Sequence, residues 1–193
     1  MKIASVFFII LFFSIDVYCH PLEFIQEDIS FAIQDSFFCV DGIYYICNVT
    51  DKPVKNILYY PFPVDSLYGI VDSVFIYNLT DTIPVEIIKR KENGFSFKIS
   101  LEPFRVGKYK IFYRQKLNGN KAEYILTTTK YWGKPLQIAN FKLHIPNHIK
   151  IDSLSFEPDS IYVNQDINKY FWQMIDFMPD KNFIIIFDRK NNK

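Results

Sequence analysis

Apolar and polar residues alternate with a period of two along most of the chain after residue 20. The clearest runs are residues 95–101, 109–114 and 141–145, in which aromatic or aliphatic side chains alternate with serine, lysine, arginine or histidine. This alternation is typical of strands with one buried face. No window of a dozen residues carries an apolar stripe with the 3.6-residue spacing of a helix. The pattern therefore predicts an all-β protein.

Seven further segments have the composition of strands and are bounded by Pro, Asn, Asp or Gly. They are residues 29–34, 37–49, 54–60, 71–77, 85–90, 170–177 and 183–187. The last is continuously apolar, which predicts a central strand covered on both faces. Residues 147–166 have the weakest pattern for regular structure. Many short strands separated by turns predict a single domain over residues 20–193, an antiparallel two-sheet β-sandwich.

Two Asn-Gly pairs predict turns between strands. The pair at residues 118–119 favours a two-residue type I′ hairpin, which would place Arg114 opposite Glu123 in the paired strands. The pair at residues 93–94 predicts a second turn, but the sequence leaves its register open.

The N-terminus has the pattern of an export signal. A nearly unbroken apolar run at residues 3–15 follows a short positive start, and it is shorter than the roughly 20 residues that span a bilayer. Val17 and Cys19 fit the small-residue positions of a cut before His20. We therefore predict a signal peptide at residues 1–19 and a secreted or periplasmic protein, with no transmembrane segment after its removal. A lipid-modified Cys19 is the less favoured alternative.

Composition narrows the classes of function. The chain is 49% hydrophobic, with 20 Phe, 13 Tyr and 2 Trp, so it can bury a sizeable core and is not disordered. Its formal net charge of +1 lacks the basic excess of a nucleic-acid-binding protein. Cys39 and Cys47 remain after export, where a disulfide is chemically feasible. Their spacing on a strand favours two small buried side chains over a bridge.

Motifs for catalysis are missing from the sequence. It contains no G-x-S-x-G, no phosphate-binding glycine loop and no H-E-x-x-H. His144 and His148 lie on either side of a proline, and we expect neither a metal site nor a cofactor. A hydrolase with paired carboxylates stays an alternative, although no spacing shows that two of them converge. The candidate acids are Asp65, Glu123, Glu157 and Asp176.

Two aromatic clusters lie in connections between strands, at residues 59–63 and 127–136. Aromatic side chains in such places stack on the apolar face of a sugar ring when they are exposed, or fill the end of the sandwich when they are buried. For Trp132 the sequence favours the second role. The candidate ligand-binding residues are Tyr131, Trp132, Lys130, Lys134, Tyr60 and Phe62.

Three segments together, Tyr60 to Pro63, Tyr131 to Leu136 and residues 177–183, resemble exported bacterial proteins of unknown function. The resemblance implies an immunoglobulin-like β-sandwich and brings no catalytic residues. We therefore expect a non-enzymatic binding or structural module of the bacterial envelope that contacts other envelope proteins or glycans through loop aromatics. A carbohydrate-binding module is the first alternative.

Overall fold

The computed structural model of the chain describes residues 20–189, so the predicted signal peptide lies outside the described residues. This part of the chain forms fourteen strands and one short 3-10 helix, Thr127–Trp132. The prediction of an all-β protein is confirmed. The strands are β1 (Leu22–Gln34), β2 (Phe37–Asn48), β3 (Val54–Pro61), β4 (Tyr68–Asn78), β5 (Ile83–Pro84), β6 (Ile87–Lys91), β7 (Gly94–Leu101), β8 (Val106–Leu117), β9 (Lys121–Tyr124), β10 (Leu136–Pro146), β11 (Ile149–Leu154), β12 (Ser160–Val163), β13 (Ile167–Phe177) and β14 (Phe183–Arg189).

The strands form one large sheet and two small ones. The large sheet has the order β12-β13-β10-β1-β2-β8-β4-β5, and the small sheets have the orders β3-β7-β6 and β11-β14-β9. The prediction of a purely antiparallel two-sheet sandwich is wrong in two respects. Strands β1 and β10 are parallel, and the second layer is divided into two sheets. The immunoglobulin-like subtype stays a prediction.

Both small sheets pack on the same face of the large sheet. Phe183 of β14 lies with its ring centroid 4.8 Å from that of Phe31 in β1. In the other small sheet, Tyr60 of β3 lies 5.9 Å from Tyr113 of β8. Buried and less buried positions alternate strictly along β2 and β8, so every second side chain points toward the small sheets. One continuous core therefore lies between the large sheet and the two small sheets.

Strand β14 is central in its sheet, as predicted, since it pairs with β11 and β9. Phe183, Ile185 and Phe187 are fully buried, whereas Ile184 and Ile186 on the other face are only half-buried. The prediction that both faces are covered is therefore wrong for the outer face.

The predicted hairpin at residues 118–119 does not form. Neither Asn118 nor Gly119 has the positive φ that a type I′ turn requires. Strand β8 pairs with β2 and β4, and β9 pairs with β14, so this connection carries the chain from the large sheet to a small one. Arg114 therefore bonds Asp72 of β4 and has no cross-strand contact with Glu123.

The second Asn-Gly pair does mark a hairpin, between β6 and β7. Lys91 pairs with Gly94, so the two turn residues are Glu92 and Asn93. The weak stretch at residues 147–166 contains two short strands, β11 and β12.

The two cysteines lie on one continuous strand. Cys39 and Cys47 are both free and half-buried, on the side of β2 that faces away from the core. Between residues 20 and 189, no helix has the length and apolar character needed to span a membrane.

Gly94 begins β7 at a point where no other residue fits. Its φ is +151°, and a Cβ added there would lie 2.3 Å from the Tyr60 carbonyl oxygen. We expect Gly94→Ala to lower the free energy of unfolding by about 1–3 kcal/mol or more, as measured by urea denaturation. Gly119→Ala is the matched control, because its Cβ would be 3.5 Å from the nearest side chain. Equal denaturation midpoints for the two variants would contradict this reading.

Candidate functional site

A cavity of about 290 Å³ lies between the two small sheets, near the lower end of the size range of ligand pockets. The inner face of the large sheet forms its floor. Strand β3 forms one wall, and the chain from the end of β9 through the 3-10 helix forms the other. Its lining is rich in aromatic rings. They include Phe24, Tyr44, Tyr60, Tyr124 and Trp132.

An irregularity in β1 places a carboxyl group in this aromatic lining. The register between β1 and β2 shifts between Phe24 and Gln26, so Ile25 is an extra residue. A one-residue shift moves the following side chains to the opposite face. Phe24 points into the core before the bulge. After the bulge, Glu27 and Ile29 point into the same core. The bulge therefore brings a ring and a carboxyl group into one cavity.

Glu27 is 1% exposed and lines the cavity. Its Oε2 accepts a hydrogen bond of 3.0 Å from the Tyr124 hydroxyl. Its Oε1 is buried and has no hydrogen-bond partner within residues 20–189. Buried polar atoms in proteins are nearly always paired, so this atom is an exception that requires an explanation.

Three tyrosine hydroxyls form a chain that ends at Glu27. The oxygen of Tyr44 lies 2.7 Å from that of Tyr60 and 3.0 Å from that of Tyr124. Each hydroxyl has one proton to donate. Since Tyr124 donates to Glu27, Tyr44 must donate to Tyr124, and Tyr60 to Tyr44. All three protons therefore point toward the carboxyl group, and none of these hydroxyls has a proton left for a ligand.

Burial is the main cause that raises the pKa of Glu27, to about 8. The hydrogen bond from Tyr124 opposes this shift, and repulsion by Asp28 adds to it. Within the described residues, His20 is the only basic side chain on the cavity wall. Burial likewise raises the pKa of Tyr44, Tyr60 and Tyr124 well above the usual value, so these hydroxyls stay neutral. Within the described residues, the carboxyl group therefore has no lysine or arginine on the cavity wall to stabilise its charge.

Three of the six predicted ligand-binding residues lie on the cavity wall. Trp132 is half-buried, with its ring centroid 5.7 Å from that of Phe24. Tyr131 is 76% exposed beside it. Tyr60 is buried and contributes its ring and its hydroxyl. Trp132 thus both closes one side of the core and faces the cavity.

The other three predicted residues lie elsewhere. The Lys130 ammonium lies 5.5 Å from the ring centroid of Tyr131. Lys134 forms an ion pair with Glu23. Phe62 is 3% exposed and packs against Phe95 and Tyr113, away from the cavity wall. The sequence did not distinguish the residues that line the cavity from Phe62, which lies in the core.

The four predicted carboxylates do not line this cavity. Glu123 accepts hydrogen bonds from Tyr68, Asn182 and Lys121, which lower its pKa although burial opposes them. Asp65 caps a turn by accepting from the Leu67 amide. Asp176 and Glu157 are exposed. The described residues also contain no group of three or more His, Cys, Asp or Glu with the arrangement of a metal site.

The sequence interpretation missed Glu27 for an identifiable reason. It begins the first strand at residue 29, and the bulge at Ile25 breaks the alternation just before it. The signal is nevertheless present, since Glu27 has the same phase as Ile29 and Phe31. A charged residue in an inward-facing position is either paired or functional.

Solved structures share this fold. The chain superposes with a TM-score of 0.68 on a candidate nutrient-binding protein of Legionella pneumophila, at 13% identity and over 89% of this chain and 68% of that one. An M1 zinc metallopeptidase of Deinococcus radiodurans matches with a TM-score of 0.54 and 8% identity. The match covers 86% of this chain but only 42% of the metallopeptidase.

At these identities, the likeness concerns the fold alone. A two-domain M1 zinc metallopeptidase bound to L-arginine matches in the same way, with a TM-score of 0.52, 8% identity and coverage of 86% of this chain and 42% of that one. No family model and no curated protein matches the sequence. The chain is therefore similar in architecture to a candidate nutrient-binding protein and to part of a peptidase.

Proposed function

We propose that this protein is a non-enzymatic binding module that holds a small organic molecule in the aromatic cavity between its two small sheets. The observation that carries the proposal is the unpartnered, buried Oε1 of Glu27 on the cavity wall. Ligand pockets combine an apolar, aromatic lining with a few converging polar groups, and this cavity has that composition. The fold of the Legionella pneumophila protein agrees with a role in binding.

The geometry favours binding over hydrolysis. Glycoside hydrolysis requires two carboxyl groups on either side of one bond, and Glu27 is the only carboxylate on the described wall of this cavity. The chain also lacks the H-E-x-x-H motif through which zinc peptidases bind their metal. The hydrolase alternative therefore has no support from the cavity.

We further propose that the module acts outside the cytoplasm, in the periplasm or at the cell surface of a bacterium. The support for this is the N-terminal pattern of an export signal. An exported module with a small pocket suits the capture of a soluble compound or of an exposed group of an envelope component.

Binding can be measured through the fluorescence of Trp132. The chain has two tryptophans, and a Trp172→Phe background leaves Trp132 as the tryptophan reporter on the cavity wall. Titration with a panel of small neutral, anionic and cationic organic molecules should give a saturable change for at least one class. No saturable change for any class at millimolar concentration would overturn the proposal.

We expect Trp132→Ala to weaken the binding of the panel's best ligand by about tenfold or more, because it removes an aromatic wall of the cavity. Isothermal titration calorimetry measures this change without the fluorescent reporter. Tyr162→Ala is the control, since Tyr162 is an exposed aromatic residue on β12, away from the cavity. An equal loss in both variants, or no loss in Trp132→Ala, would place the ligand elsewhere.

A further inference from the structure

The carboxyl group of Glu27 needs a partner that the described part of the chain does not supply. Its Oε2 is bonded to Tyr124, whereas Oε1 is buried and unpaired in a residue that lines the cavity. The protons of the three tyrosine hydroxyls are all used within their own chain. No lysine or arginine among the described residues lines the cavity. A ligand in the cavity can supply the donor or the positive charge that Oε1 lacks in the described structure.

Several aromatic rings line the same cavity as Glu27. The rings of Phe24, Tyr44 and Trp132 are packed in series, with centroid distances of 6.0 Å and 5.7 Å around Phe24. Tyr60 lies edge-on to Tyr44 at 5.6 Å. The faces of aromatic rings attract cations, and cages of such rings bind ammonium groups. A carboxylate within the same cage adds direct charge pairing.

We propose that the ligand is a small organic cation, an ammonium compound whose charged group pairs with Glu27 Oε1 while its carbon atoms pack against the rings of Phe24, Tyr44, Tyr60 and Trp132. This inference rests on the proposed binding function of the cavity. An anion is disfavoured because the wall carries a carboxyl group and no lysine or arginine. A sugar is disfavoured because the hydroxyls of Tyr44, Tyr60 and Tyr124 have already donated their protons within their own chain.

The pairing makes binding depend on pH. A cation requires the ionised carboxylate, and burial raises the pKa of Glu27 to about 8 in the free protein. The ionised fraction grows from about 1% at pH 6 to about one half at pH 8, so the affinity for a permanent cation should rise by about 50-fold. The other titratable groups on the described cavity wall are His20, Tyr44, Tyr59, Tyr60, Tyr109, Tyr124 and Tyr131. Asp28, the next residue of β1, acts on Glu27 through charge repulsion.

The test uses cations whose charge does not change with pH. Choline and benzyltrimethylammonium are titrated into the protein at pH 6 and pH 8 by calorimetry, with 3,3-dimethyl-1-butanol as the neutral isostere of choline. We expect both cations to bind about 50-fold more tightly at pH 8 and the neutral isostere to bind weakly at both values. A His20→Gln variant, which removes the one histidine of the described cavity wall, should keep this dependence.

Glu27→Gln should reduce cation binding by at least 50-fold at pH 8 and abolish its pH dependence. Glu157→Gln is the control, because Glu157 is exposed and lies outside the cavity. If the urea-denaturation midpoint of Glu27→Gln at pH 8 is at least that of the wild type, the variant is folded and its loss of binding reports recognition. Equal binding of the neutral isostere, or full binding by Glu27→Gln, would overturn the inference.

The failure of the inference is distinct from the failure of the binding function. If neutral or anionic compounds change Trp132 fluorescence and neither cation does, the cavity binds a ligand of another class and only the present inference falls. If no compound of any class binds, both fall.

Discussion

Replacing Glu27 by glutamine is expected to raise the free energy of unfolding by about 3–5 kcal/mol at pH 8 and by less than about 1 kcal/mol at pH 5. The side chain is fully buried and has no cationic partner on the cavity wall. Glutamine keeps the shape of the group and can still accept the hydrogen bond from Tyr124 through its amide oxygen. The variant therefore removes the free-energy cost of burying an ionisable carboxyl group and leaves no void.

The sign of this effect follows from proton linkage. The pKa of Glu27 is about 8 in the folded protein, above the ordinary value of 4.5 that applies to the unfolded chain. Between these two values the folded state holds a proton that the unfolded state has lost, so stability falls as the pH rises. The stability linked to Glu27 is thus fully present below about pH 4.5 and is lost by about pH 8.

Urea denaturation at several pH values between 5 and 8 measures the effect, with the wild-type protein and Glu27→Gln compared at each pH. Other groups titrate equally in both proteins, so the difference between the two curves isolates Glu27. Glu157→Gln should follow the wild type throughout. A constant difference across this range would show that the pKa of Glu27 is not raised.

The second large effect is expected at Phe183, in the middle of the core. Its ring contacts those of Phe31, Phe141, Phe156 and Trp172, at centroid distances from 4.8 to 5.8 Å. Phe183→Ala removes a fully buried ring that joins the β11-β14-β9 sheet to the large sheet. We expect it to lower the free energy of unfolding by about 3–5 kcal/mol, through lost burial and a residual void.

Ile184→Ala is the matched control for Phe183→Ala. Ile184 is the next residue of the same strand and points to the half-buried face. Chemical denaturation should show a smaller loss in the free energy of unfolding for Ile184→Ala than for Phe183→Ala. The dependence of that free energy on denaturant concentration should be the same as in the wild type. If the two variants lose the same stability, Phe183 does not have the central position that its ring contacts indicate.

The alternation of apolar residues was enough to predict most strands, because each of them has one face in the core. Strands β7 and β8 follow this pattern without interruption. What the pattern could not supply is which strands pair. The Asn-Gly pair at residues 118–119 favours a hairpin on local grounds. The strands on either side, β8 and β9, nevertheless belong to different sheets. Tertiary packing thus overrode the local preference for a turn.

The aromatic part of the site stands out in the sequence more clearly than its carboxyl group. Tyr131 and Trp132 stand out because they lie in a connection between strands. Glu27 is hidden by the bulge at Ile25, which changes the phase of β1. Its raised pKa arises from burial under residues distant in the chain, including Tyr124 of β9. Only the assembled fold determines this environment.

The division of the second layer has a mechanical consequence. Among the described strands, no backbone ladder joins the β3-β7-β6 sheet to the β11-β14-β9 sheet. Across the cavity, the two are linked through side chains, such as Tyr60 and Tyr124, which both bond to Tyr44. Spreading the two sheets apart therefore breaks side-chain hydrogen bonds while every strand keeps its partners. Across the cavity, the contact between the two small sheets therefore depends on side chains and not on a shared backbone ladder.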